Sequence, residues 1–298
     1  MDASRYLLLP DGRLRSGWRL LIFIVLYYIA GSLLVWLSSG SPATGSMAFA
    51  AATRVATVLV ITWLMLRVFD RQPLLSVGLS PRGSAVRELA AGLGIGFVLA
   101  EGVIVLEIAT RLVAIEATAA ADSAGAVALV SITGMLLTAA AWEELLFRGY
   151  PFQRLVEGTG RAAAIAITSL LFGLLHGMNP DATILSVMNT VLAGVLFSVA
   201  YLKTRALWLP IGLHFVWNWT LTVSGFPVSG LVIIQMPWRA VPASASGWLY
   251  GGDYGPEGGI VTTVALFIAI AFLMVKVPGA GSAVQKPPAP AAGERGRL

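Results

Sequence analysis

The chain has 298 residues, of which 57% are hydrophobic and only 12% charged, with a mean hydropathy of +0.81. A soluble protein carries about 25% charged residues, so a fully wetted surface is excluded and lipid is the expected solvent. The absence of cysteine excludes disulfides, thiolate nucleophiles and Cys-based zinc sites. The net charge of +5 comes from single basic residues between apolar runs, which excludes the basic patch that a nucleic-acid partner needs.

A bilayer core about 30 Å thick takes roughly 20 apolar residues at 1.5 Å each. In chain order, eight segments approach that length: 18–37, 47–66, 89–110, 126–147, 162–178, 184–202, 207–225 and 260–277. The first follows a basic stretch, as a signal peptide would. It is too long for such a peptide and ends in Ser38-Ser39-Gly40-Ser41-Pro42 without a small-x-small cleavage site, so it is expected to be a retained span. With the N-terminus inside, every basic residue except Arg54, Arg111 and Arg239 falls on the inner side, as the positive-inside rule requires. The expected fold class is therefore all-α: a polytopic transmembrane helical bundle of about eight spans, both termini inside, in the cell membrane.

Residues 1–125 form an N-terminal block of three spans, and 126–225 a core of four. Residues 226–277 add an outer connection and the last span, and 278–298, with Pro287-Pro288-Ala289-Pro290, read as a disordered tail. Trp238, Trp248, Tyr250 and Tyr254 in the outer connection are expected to lie against lipid headgroups.

An ionised side chain at mid-bilayer costs roughly 2.5–3.5 kcal/mol, so each needs a reason. Three clusters carry the polar residues of the core: Trp142-Glu143-Glu144-Leu145-Leu146-Phe147-Arg148-Gly149, Phe172-Gly173-Leu174-Leu175-His176, and His214-Phe215-Val216-Trp217-Asn218. His176 and His214 are the chain's only histidines. On a helix Glu144 and Arg148 share one face, in the favourable order for an ion pair. Glu143 is turned about 100° away from them. His214 and Asn218 share a face in the same way, and Phe172 stands one turn before His176.

Chemically this is a working set. A carboxylate in apolar surroundings suits a general base, a histidine beside it can share a water, and a second histidine with an amide can stabilise an oxyanion. Glu143, His176 and His214 are equally a His₂Glu ligand set for Zn²⁺, although the helical zinc-protease motif is absent. Singly, Glu144–Arg148 reads as a structural ion pair, Asn218 as an inter-helix bond, and Phe172, Trp142 and Trp217 as packing. Convergence in separate spans favours function.

Glu-Glu-x-x-x-Arg, Phe-x-x-x-His and His-x-x-x-Asn, in this order between 143 and 218, closely resemble the CPBP intramembrane proteases. That family includes the CAAX prenyl endopeptidases and the Abi-type bacteriocin-processing or immunity proteins. The resemblance implies hydrolysis of a peptide bond in a membrane-associated substrate, prenylated or not, with lipid and peptide as partners. It assigns water activation to Glu143 with His176, and oxyanion stabilisation to His214 and Asn218. Glu144 and Arg148 would steady Glu143. Zinc and a metal-free glutamate mechanism both remain open, and the competing readings are a proton-coupled transporter with Glu143, His176 and His214 as relay, or a non-catalytic immunity or scaffold protein.

Two further expectations can be checked on geometry. Counted from the inner boundary on straight helices, Glu143 should lie about one turn deep and His176 roughly 20 Å deep, unless span four continues past Pro151 or span five starts deep or tilts. Arg54 and Glu101 should pair within the membrane.

Overall fold

The computed structural model describes residues 4–38, 47–118, 125–244 and 246–276. The tail 278–298 and most of the turn after the first span lie outside the described residues. Each of the eight apolar segments falls on a helix. After α1 (Ser4–Leu7) come α2 (Ser16–Ser38), α3 (Met47–Met65) and α4 (Ala85–Ala109), and then α5 (Ala126–Arg148), α6 (Tyr150–Thr159), α7 (Arg161–His176), α8 (Ile184–Thr204) and α9 (Trp208–Val223). A short α10 (Gly247–Tyr250) precedes α11 (Ile260–Lys276).

Among the described residues, five stretches are long and apolar enough to cross a membrane: Ser16–Leu34, Phe49–Asp70, Ala85–Ala109, Val127–Thr159 and Ile184–Thr204. With these stretches the chain has the composition of an integral membrane protein. The other three helices, α7, α9 and α11, have 16, 16 and 17 residues, fewer than the roughly 20 of an upright crossing.

The fold is not purely helical. Val113–Ala117 (β1) and Trp238–Pro242 (β2) pair antiparallel, with Val113 opposite Pro242 and Ala117 opposite Trp238. Two five-residue strands far apart in sequence are too short to announce themselves by alternation. The connection 226–259 is also less exposed than expected. Trp238 and Trp248 are exposed, but Tyr250 and Tyr254 are buried, because the loop folds back onto the ends of α4 and α9.

Close helix packing needs small residues. α4 crosses α9 where Gly92 faces Gly212, and a Cβ on Gly92 would stand 2.4 Å from the Leu209 carbonyl oxygen. The π-helical turn Leu66–Asp70 extends α3 and carries Asp70 into the protein. There Arg19 and Arg154 pair with its carboxylate, and the Tyr150 hydroxyl donates to it at 2.8 Å. Arg154 also meets Glu157 at 2.9 Å. Arg19 and Arg154, which the sequence offers as topology signals, are thus buried ties between α2, α3 and α6.

The expected Arg54–Glu101 pair does not form: among the described residues no ion pair joins them. The Arg54 guanidinium lies over the Trp142 ring, 4.9 Å from its centre.

Candidate active site

Glu143 and His176 meet because the chain turns back one helix later than the apolar pattern suggests. At Gly149 the backbone breaks direction (φ −77, ψ −130), and a Cβ there would lie 2.2 Å from the Leu145 carbonyl oxygen. Pro151 near the start of α6 is compatible with a helix start, because the first turn has no backbone partner for its missing N–H. The chain then runs on through α6 and reverses only at Gly160 (φ +86) before α7. Glu143 and His176 stand almost equidistant along the chain from that reversal. Their side chains meet, with His176 Nε2 3.9 Å from Glu143 Oε2.

His214, on α9, approaches from the other side, its Nε2 3.8 Å from the same oxygen. Its Nδ1–H donates to Glu144 Oε1 at 2.9 Å. The His176 Nδ1–H donates to the Phe172 carbonyl at 2.8 Å. Each ring therefore has its Nδ1 committed and presents Nε2 to Glu143, an orientation fixed by the partner of the other nitrogen. Glu143 Oε2 itself has no hydrogen-bond partner among the described residues.

Glu144 and Arg148 are fully buried and paired at 3.2 Å. Arg148 also donates to the Gly194 carbonyl at 3.0 Å and lies over the rings of Phe172 and Phe197, 4.8 and 5.2 Å from their centres. The Phe197 ring stacks on His214 at 4.9 Å, and Phe172 sits 4.5 Å from His176. The ion pair thus holds His214 through Glu144, and its direct support goes to the imidazole rather than to Glu143. Phe172, besides packing, supplies the carbonyl that orients His176.

These groups open on a cavity of about 720 Å³ to which Glu143, His176, His214 and the half-buried Asn218 all contribute. Glu257, a residue outside the three motifs, also lines it. Glu257 accepts from the Trp217 indole at 3.0 Å and from the Ser229 hydroxyl at 2.7 Å, and also from the Ser229 amide. Asn189 donates to the carbonyls of Glu257 and Gly259 at 2.9 and 2.8 Å. Asn189 was detectable in principle, as an amide within an apolar span. Trp217 and Trp142 are more than packing residues, since the Trp142 indole donates to the Tyr27 hydroxyl at 2.7 Å.

The chemistry of the donor set suits Zn²⁺, and the Nδ1 hydrogen bonds resemble those behind zinc-bound histidines. The spacing does not suit it. Ligands about 2.0–2.2 Å from a tetrahedral zinc lie about 3.3 Å apart, against 3.8 and 3.9 Å here. No group of three His, Asp or Glu among the described residues is placed to hold a metal.

Residues 125–220 match the family model of type II CAAX prenyl endopeptidases, Rce1-like. This agrees with the family that the Glu-Glu-x-x-x-Arg, Phe-x-x-x-His and His-x-x-x-Asn motifs resemble. The chain matches no curated protein and no solved structure.

Proposed function

With an Rce1-like CAAX endopeptidase match over residues 125–220 as premise, we propose that this chain is an intramembrane endopeptidase of the cell membrane. It crosses the bilayer with eight helices, both termini inside, and hydrolyses a peptide bond in a membrane-associated substrate. The observation that carries the reading is the convergence of two oriented imidazoles on one oxygen of Glu143.

A water between these groups donates one hydrogen to His176 Nε2 and the other to Glu143. Glu143 takes the proton as the water oxygen attacks the scissile carbonyl, and afterwards delivers it to the leaving amine. The carbonyl oxygen becomes an oxyanion, stabilised by the Asn218 amide and by His214. His214 donates from Nε2 as the imidazolium, which Glu144 steadies at Nδ1, and Arg148 balances the Glu144 charge. The reaction needs no metal, and no step passes through one.

The test is incubation of the purified protein with membrane peptides, farnesylated and unmodified, followed by mass spectrometry of the products. Two fragments whose masses sum to substrate plus one water support the proposal. Intact peptides, with proton uptake by proteoliposomes instead, would move the assignment to a transporter.

A further inference from the structure

Tyr27 brings a hydroxyl to the cavity wall from α2, a helix outside the matched residues 125–220. Five other side chains on that wall carry a hydroxyl or an indole N–H: Trp142, Thr190, Trp217, Ser229 and Thr262. Each gives its hydrogen to an acceptor of the protein. Trp142 donates to Tyr27 itself, Thr190 to the Ser186 carbonyl, Trp217 and Ser229 to Glu257, and Thr262 to the Pro256 carbonyl. Tyr27 accepts from the Trp142 indole at 2.7 Å and donates to no described residue.

A phenol oxygen that accepts one hydrogen bond directs its own hydrogen elsewhere, and the acceptance polarises the O–H and makes it a stronger donor. Tyr27 is half-buried and lines the cavity, so that hydrogen is available to what the cavity holds. The position is close to the chemistry. Trp142 immediately precedes Glu143 on α5 and both line the cavity. The Tyr27 hydroxyl also feels the charge of the Glu143 carboxylate.

A peptide entering this cavity strips water from every carbonyl it buries, and a carbonyl left without a donor is costly. The proposed reaction supplies donors to the scissile carbonyl alone, through His214 and Asn218 on α9. An extended chain carries its next carbonyl about 3.3–3.6 Å further on, where those two residues are already engaged.

We propose that the Tyr27 hydroxyl donates to a backbone carbonyl flanking the scissile one and so holds the peptide in register with Glu143. The inference rests on the proposed peptidase activity. A backbone carbonyl is common to all peptides, so the contact positions the chain without selecting a side chain. Bond breaking stays with Glu143. The competing role is a Tyr27–Trp142 bond that only ties α2 to α5.

The experiment crosses variants with peptides. An unmodified membrane peptide is compared with a series of analogues in which a trans-alkene replaces one peptide bond at a time, removing one carbonyl. Tyr27→Phe removes the donor and orphans the indole. Trp142→Phe breaks the same tie but keeps the donor, and Trp142→Phe/Tyr27→Phe removes the donor with no indole left unpaired. Tyr27→Phe should lower kcat/KM on the parent peptide about tenfold, the worth of one buried hydrogen bond. It should cause no further loss on one analogue, altered next to the scissile bond. Trp142→Phe should keep the preference for the parent over that analogue, and the double variant should lose it.

Equal losses on every peptide, or a Tyr27→Phe rate on the parent within about twofold of wild type, overturn the inference and leave the peptidase assignment standing. A preference lost equally in Trp142→Phe overturns it too, as the mark of a tie between helices. Binding provides the independent arm if no peptide is cut. Affinities for the Glu143→Gln and Glu143→Gln/Tyr27→Phe proteins are read by calorimetry. One analogue bound more weakly than the parent by the first protein and equally by the second supports the contact without turnover. Equal binding of all peptides by Glu143→Gln, or binding of none, overturns it.

Discussion

The Glu144 carboxylate and the His214 imidazole are joined by a 2.9 Å hydrogen bond between helices α5 and α9, and the same carboxylate neutralises the buried Arg148. One acid therefore orients a ring and balances a charge. Glu144→Gln leaves Arg148 uncompensated in a site with no exposure. Breaking a buried pair from one side costs about 3–5 kcal/mol. The variant should unfold at a clearly lower temperature in detergent. Glu144→Asp, which keeps the charge, should lose less. Equal unfolding temperatures for wild type and Glu144→Gln would show that the pair carries no stability.

Asp70 makes the same kind of tie in the turn that extends α3, outside the cavity lining. Asp70→Asn leaves Arg19 and Arg154 with Glu157 as their remaining acidic partner, and a loss smaller than the about 3–5 kcal/mol of a fully uncompensated pair is expected. Because Asp70 lines no part of the cavity, kcat/KM measured well below the unfolding temperature should stay within about threefold of wild type, the scatter of a sub-kilocalorie effect. A rate loss beyond tenfold in folded protein would show that the Asp70 network controls the site.

Glu257 ties the connection 226–259 to α9 through Trp217. Glu257→Ala removes the acceptor of the Trp217 indole and of Ser229. Limited proteolysis should then cut within residues 226–259 faster than in wild type, and Trp217 fluorescence should report a wetter environment. Unchanged proteolysis would mean that the β1–β2 pairing alone holds the loop.

The ligand spacing leads to insensitivity towards chelators. Treatment with EDTA or phenanthroline should leave peptide hydrolysis unchanged, and metal analysis of active protein should find zinc well below one per chain. Loss of activity on chelation, restored by zinc, would require the two imidazoles and Glu143 to close by about half an ångström around a metal.

Much of this was legible from residue types. A run of about 20 apolar residues has few alternatives to a helix, so the eight segments map onto helices. The price of charge in lipid singled out Glu143, Glu144, Arg148, His176 and His214. What was hidden is long-range. Nothing near Val113 announces its pairing with Pro242. The hydropathy pattern ends at Phe147, whereas the helical path continues through the amphipathic α6, and only that extra helix brings Glu143 level with His176. Arg54 and Glu101 were matched by their depth along the chain. Depth does not say which helices are neighbours, and Arg54 found Trp142 instead.

The most direct measurement is the rate of peptide hydrolysis by Glu143→Gln, which keeps the shape of the side chain but cannot take a proton. With the unfolding temperature matched to wild type, the rate should fall by about 10²–10⁴-fold, the contribution of a positioned general base. A Glu143→Gln protein that cleaves within tenfold of wild type would contradict the assignment of Glu143 as the group that activates water.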